Sequence, residues 1–196
     1  MNFWRAFMLM WLAVSLAGCG INNIPTYDEQ VKAAWSQVQN QYQRRADLVP
    51  NLVNTVQGFA DQEREVLVEV TEARSKVGSI QMDESILNDP QKFQQFEQAQ
   101  SQLGSALQRL MVVVERYPEL KSNQNFLTLQ AQLEGTENRI AVARRDYIQA
   151  VQQYNTEIRT FPGRIWHSVL YSELEPRENF EATTENAEQA PSVNFE

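Results

Sequence analysis

The chain has 196 residues, a length suited to one domain, with 42% hydrophobic and 21% charged residues and only 7 Gly and 7 Pro, a balance that favours solvated helices around one core. Its 17 basic and 25 acidic residues give a net charge of −8, and no basic stripe is present to neutralise phosphates, which argues against nucleic acid as a partner. The acidity is uneven: from Glu173 onward seven Glu stand against Arg177 alone, so −6 (1 − 7) of the −8 lies in this last segment and the body is nearly balanced.

In chain order, the first element is an apolar run. One positive charge, Arg5, precedes an uncharged stretch from Phe7 to Gly18. As a helix of about 1.5 Å per residue, that stretch is too short for a hydrocarbon core of roughly 30 Å, so it has the shape of a secretory signal rather than a membrane span. It ends in Leu16-Ala17-Gly18-Cys19, which matches the bacterial lipoprotein box and implies cleavage before Cys19 and acylation of that cysteine. The alternatives are a buried structural cysteine or an uncleaved anchor running on to about Ile24. Cys19 is the only cysteine, so an intramolecular disulfide is impossible. Several acyl chains at ~0.8 kcal/mol per buried methylene anchor stably where one would not. Gly20, in place of the Asp that signals inner-membrane retention, directs the expected anchor to the outer membrane of a Gram-negative host; in a Gram-positive host the same box means the outer face of the plasma membrane.

Four stripes of helical period follow. Tyr27, Val31, Ala34/Trp35, Val38 and Tyr42 form the first. Leu52, Val56, Phe59, Val66, Val70, Ala73 and Val77 form the second, with Glu63 as a polar intruder. The third runs through Phe93, Phe96, Gln100, Leu103, Leu107, Leu110, Val114 and Tyr117, and the last from Phe126 through Leu133, Ile140, Tyr147 and Tyr154 to Phe161. Each stripe is apolar on one side and rich in Gln, Glu and Arg on the other, as for helices packed side by side. Asn88-Asp89-Pro90 reads as a cap with proline at the first helical position, Ser122 or Asn123 as the cap of the last long helix, and Tyr117-Pro118 and Phe161-Pro162-Gly163 as stops. The expected fold is therefore all-α: an antiparallel up-and-down bundle of about four long helices, the first kinked or broken at Pro50, with a disordered acidic C-terminal tail. The divisions are a signal peptide (1–18), a lipidated linker (19–26), the bundle (27–163), a short terminal helix (164–174) and the tail (175–196).

Candidate site residues are polar. Arg44, Arg45, Asp47 and Arg74 lie on the first long helical stretch, and Gln130, Glu134, Glu137, Asn138 and Arg144 border the Leu133–Ile140 stripe. An unpaired buried charge costs several kcal/mol, so partly buried Arg and Glu at such positions should pair across helices and fix register; a partner-binding surface is the other reading. Pro50 lacks a backbone donor and clashes with the preceding turn, at a cost of ~3 kcal/mol in an uninterrupted helix, with Asp47 or Asn51 available to cap freed amides. Catalysis has little to work with: the one histidine, His167, lies outside the stripes beside Trp166 and reads as a packing or surface residue. A hard-cation site using Glu134 and Glu137 with Glu63, Glu72 or Glu97 from facing helices is the alternative function, although no His follows at the spacing a di-metal bundle needs. No cofactor is implied. At the end, "APSVNFE" (190–196) places Val193 and Phe195 on a polar tail, either a frayed terminus or a short docking motif.

Two long stretches, "RRADLVPNLVNTVQGFADQEREVLVEVTEAR" (44–74) and "YPELKSNQNFLTLQAQLEGTENRIAVARRDYIQAVQQYNTEIRTFPG" (117–163), resemble the LemA family. The likeness spans roughly Tyr27 to Gly163, and "NFEA" (179–182) and "APSVNFE" look like the family's closing elements. It implies an antiparallel helical bundle behind one N-terminal membrane anchor, outside the cytoplasm, with no enzymatic activity to carry over. Many members keep an uncleaved transmembrane helix, and the lipobox departs from that pattern. The expected partners are the membrane, through lipidated Cys19, and unidentified envelope proteins, with homo-oligomers compatible.

Overall fold

The computed structural model describes Trp4 and residues 20–81 and 83–180; the lipobox with Cys19 and the terminal APSVNFE lie outside the described residues. The regular elements among them are all helical: α1 (Asn23–Gln57), α2 (Arg64–Ser79), a 3-10 turn (Glu84–Asn88), α3 (Pro90–Val114), the single turn α4 (Pro118–Lys121), α5 (Gln124–Glu157) and α6 (Gly163–Leu170). Bonds between helices set the directions. Asn23 reaches Glu157 and Arg45 reaches Glu137, so α1 and α5 are antiparallel, while Glu69 pairs with Arg109 and Lys76 with Gln102, so α2 and α3 are antiparallel. The expected caps are made: Asp89 Oδ1 accepts from the amides of Gln91 and Lys92 at 3.0 and 3.1 Å, and Asn123 Oδ1 from those of Asn125 and Phe126 at 3.0 and 3.1 Å.

The first helix does not break at Pro50. Its 35 residues stay helical through the proline, and the chain turns only at residues 58–63, where Glu63 accepts from the Tyr117 hydroxyl and from Arg116, both at 3.1 Å. Two things offset the missing bond. Val49 and Leu52 on either side are buried in the core, and the carbonyl of Ala46, which the proline leaves without its i+4 amide, accepts instead from Nε of Arg74 on α2 at 3.0 Å. The stripe read across the bend also changes. Phe59 falls in the turn and is exposed, and Leu67 is buried where the sequence pattern pointed to Val66.

α2 has only 16 residues, about 24 Å, against about 52 Å for α1, so it covers half of the bundle. In the covered half, α1, α2, α3 and α5 enclose an aliphatic core that includes Val49, Leu52, Val70, Leu103, Leu107 and Leu133. In the other half, α1, α3 and α5 enclose an aromatic core around Trp35, Phe93, Phe96 and Tyr147. Here the place of a fourth helix is taken by the 3-10 turn, through Ile86 and Leu87, and by the segment after α6, through Leu174 and Phe180.

Residues 175–180, the first of the expected acidic tail, are packed on the bundle. Tyr154 and Tyr147 donate their hydroxyls to the carbonyls of Glu175 (3.0 Å) and Glu178 (2.7 Å). Asn155 both donates to the carbonyl of Arg177 and accepts from its amide, each at 2.9 Å. The Arg177 guanidinium is buried against Asp28, 149 residues earlier, with Nε 3.0 Å from Oδ1, and also bonds Asn88.

Candidate functional site

Between the two cores lies a layer of charge. Arg45 projects from α1 and is only 4% exposed. One arm of its guanidinium, Nη1, donates to both oxygens of Glu137 on α5 at 3.0 and 3.3 Å. The other, Nη2, donates to the backbone and side-chain oxygens of Gln100 on α3, so three helices meet on one side chain. The Tyr42 ring lies 5.0 Å from the guanidinium carbon. Arg144, one turn beyond Ile140 on α5, sits 3.7 Å from Glu97 of α3 and 4.2 Å over the Phe180 ring. Burial raises the Tyr42 hydroxyl above its ordinary pKa, against the pull of Arg144 and Arg45 in the opposite direction. A cleft of about 260 Å³ opens on this layer, lined by Arg45, Glu97, Gln100, Ser101, Glu137 and Arg144. Its two guanidiniums and two carboxylates balance, so it presents hydrogen-bonding groups without net charge.

The expected site residues divide accordingly. Arg45, Glu137 and Arg144 enter cross-helix pairs, and Arg74 crosses from α2 to α1 through the Ala46 carbonyl, in the floor of an open groove of about 580 Å³ between the two helices. Asp47 does not pair across the bundle: it is exposed and accepts from Gln43 one turn back at 2.8 Å. Asn51 is exposed, and its carbonyl accepts from Thr55. Gln130 bonds Glu134 within α5 at 2.9 Å. Arg44 and Asn138 line separate shallow surface grooves.

The carboxylates proposed for a cation are not brought together. Glu134 stays on the α5 surface with Gln130, Glu137 is held by Arg45, Glu63 sits at the 58–63 bend, Glu72 lines a groove between α2 and α3, and Glu97 faces Arg144. Among the described residues no group of three or more His, Cys, Asp or Glu is arranged to hold a metal ion. His167 has a structural partner, its Nε2 lying 2.7 Å from the carbonyl of Leu174.

The interior also holds polar residues outside the candidate set, among them Gln100, Asp28 and Arg177. Gln100 stands on the apolar stripe of α3 where the period calls for a hydrophobe, which is its visible signal. Asp28 has the same signal, lying three residues before Val31 and seven before Trp35, on the buried side of α1. Arg177 has none, because the extended segment that carries it has no period.

These features define an antiparallel all-α bundle with a neutral charged layer between an aliphatic and an aromatic core. A sequence model of the LemA family matches residues 34–195, and the chain belongs to that family. It is 30% identical to "Magnetosome protein MamQ 2" of Paramagnetospirillum magneticum over 157 residues, covering 72% of this chain and 58% of that protein. It is 25% identical to "Protein LemA" of Metamycoplasma hominis over 140 residues, 71% of this chain and 60% of that protein. A further likeness is to "Magnetosome protein MamQ" of Magnetospirillum gryphiswaldense, at 27% identity over 157 residues, again 72% and 58%. The chain thus spans less than two thirds of the length of these relatives. Among the described residues no helix is long and apolar enough to cross a membrane.

Proposed function

We propose that this LemA family protein is a lipid-anchored component of the cell envelope, held through acylated Cys19, and that its bundle is a non-enzymatic scaffold or interaction module. One observation carries the scaffold reading. Among the described residues, the three buried charged side chains, Asp28, Arg45 and Arg177, are all taken up in ion pairs that join segments 92 and 149 residues apart. Charges arranged in this way hold helices in register, and they are not poised to exchange protons with a substrate. Gly20 after the lipobox favours the outer membrane of a Gram-negative host. The magnetosome label belongs to the relatives that bear it.

The anchor is tested with Cys19→Ala, which should abolish palmitate incorporation and release the protein from the membrane fraction; a variant that stays in the membrane would point to an uncleaved helix. The module is tested by crosslinking in intact cells with mass spectrometry, which should return envelope proteins. A chemical turnover by the purified chain that disappears in Arg45→Met while the helical fold is kept would overturn the non-enzymatic reading.

A further inference from the structure

Among the described residues, four of the ten large apolar side chains left exposed fall within ten positions: Phe161 (82% exposed), Ile165, Val169 (70%) and Leu170. Others, such as Val68, Val112, Leu127 and Val142, are distributed over α2, α3 and α5, as on any protein surface. Ile165 and Val169 stand one turn apart on the same side of the eight-residue α6, and Phe161 is exposed in the turn leading into it. From residue 159 to 170 the sequence holds Arg159 and Arg164, both exposed, and no Asp or Glu, on a chain whose net charge is −8.

The start of α6 packs against the end of α5: a Cβ on Gly163 would stand 2.2 Å from the Glu157 carbonyl oxygen, so only glycine admits this approach. Glu157 in turn accepts from Asn23 at the start of α1 at 3.2 Å. A Cβ placed on Gly20 would lie 3.9 Å from Pro162. The chain therefore enters the bundle beside α6, one residue after Cys19.

We infer that α6 lies on the bilayer that holds the N-terminal anchor, with Phe161, Ile165, Val169 and Leu170 at the boundary of headgroups and acyl chains and Arg159 and Arg164 against anionic headgroups. This rests on the membrane-anchor reading, but it holds for an acylated Cys19 and for an uncleaved helix alike, because either brings the membrane to Gly20. The contact keeps the aromatic end of the bundle at the lipid surface and displays the 58–63 bend at the far end, where a partner can reach it.

The test uses the full chain on vesicles of phosphatidylethanolamine and phosphatidylglycerol, with p-benzoylphenylalanine in place of Phe161. Irradiation should give phospholipid adducts. The same group in place of Leu127, about 45 Å away along α5 by helical rise, should give none. Replacing Ile165 and Val169 together with Ser should lower the adduct yield roughly fivefold or more, and vesicles of phosphatidylcholine alone should lower it as well. All these side chains are exposed, so the helical circular dichroism should not change. No adduct at position 161, equal adducts at 161 and 127, or a crosslink from 161 to a second copy of the chain would overturn the inference. The acyl state of Cys19 is read separately from the mass of the N-terminal peptide. Adducts at 161 without acyl chains would remove the lipoprotein reading and leave the α6 contact in place.

Discussion

The aliphatic half of the bundle closes with helices alone, because α2 is present there to complete a ring of four and Leu, Val and Ala side chains fill the space between them. The aromatic half lacks that helix. It is closed by an extended segment that cannot satisfy its own backbone, so Tyr147, Tyr154 and Asn155 of α5 bond its carbonyls and an amide, and a buried ion pair, Asp28 with Arg177, ties it down. The difference shows what the two kinds of closure demand. Apolar side chains on helices tolerate substitution in proportion to the volume removed, whereas a closure made of directed polar contacts fails when one partner is lost.

The largest effect should come from breaking that closure. Asp28→Ala leaves the Arg177 guanidinium buried and unpaired, and should cost about 3–5 kcal/mol by urea denaturation, with near-ultraviolet circular dichroism of the aromatic cluster lost first. If Asp28→Ala costs less than a truncation of Leu103 in the aliphatic half, the contrast between the halves is wrong.

Alkali should separate the halves without any substitution. Burial pushes the Tyr147 hydroxyl far above its usual range and that of Tyr154 up to about 12, while in the unfolded chain both titrate near 10. Their contribution to stability is fully present below pH 10 and is lost as pH rises toward 12, because the unfolded state releases its protons first. The urea midpoint should fall across that window, less steeply in Tyr147→Phe, which should also lose about 1 kcal/mol near neutrality.

Smaller effects sharpen the view of the layer between the halves. Arg74→Ala should cost about 1 kcal/mol in the natural chain and less in a Pro50→Ala background, where the amide of residue 50 can bond the Ala46 carbonyl; a double-mutant cycle reads the coupling. Asp47→Ala, which removes only a bond to Gln43 on the surface, should stay within about 0.5 kcal/mol of the natural chain. A larger loss would mean that Asp47 pairs across the bundle after all.

Much of this architecture was legible in the sequence, and the boundary follows from physics. Helical stripes and caps report themselves through spacing, so the bundle and its ends could be read, and Arg45 with Glu137 could be nominated as charges beside apolar stripes. That the helix runs on through Pro50 rather than breaking could not be read, because the Ala46 carbonyl freed by the proline is met by a side chain on another helix, Arg74, and local rules describe only the proline's own neighbours. The packing of residues 175–180 leaves no pattern in the sequence for a related reason. Its bonds run from distant side chains to its backbone, and the acidic residues around Arg177 hide the one charge that matters there.

The Asp28–Arg177 pair also sets an order of assembly. The aliphatic half draws its core from residues between Val49 and Leu133, whereas the aromatic half needs Ile24 and Phe180 at once. A nascent chain therefore has everything required for the first half well before the second can shut. Until then the rings of Trp35, Phe93 and Tyr147 are open on one side, and the growing protein is most vulnerable to association through that opening during the interval before Arg177 emerges.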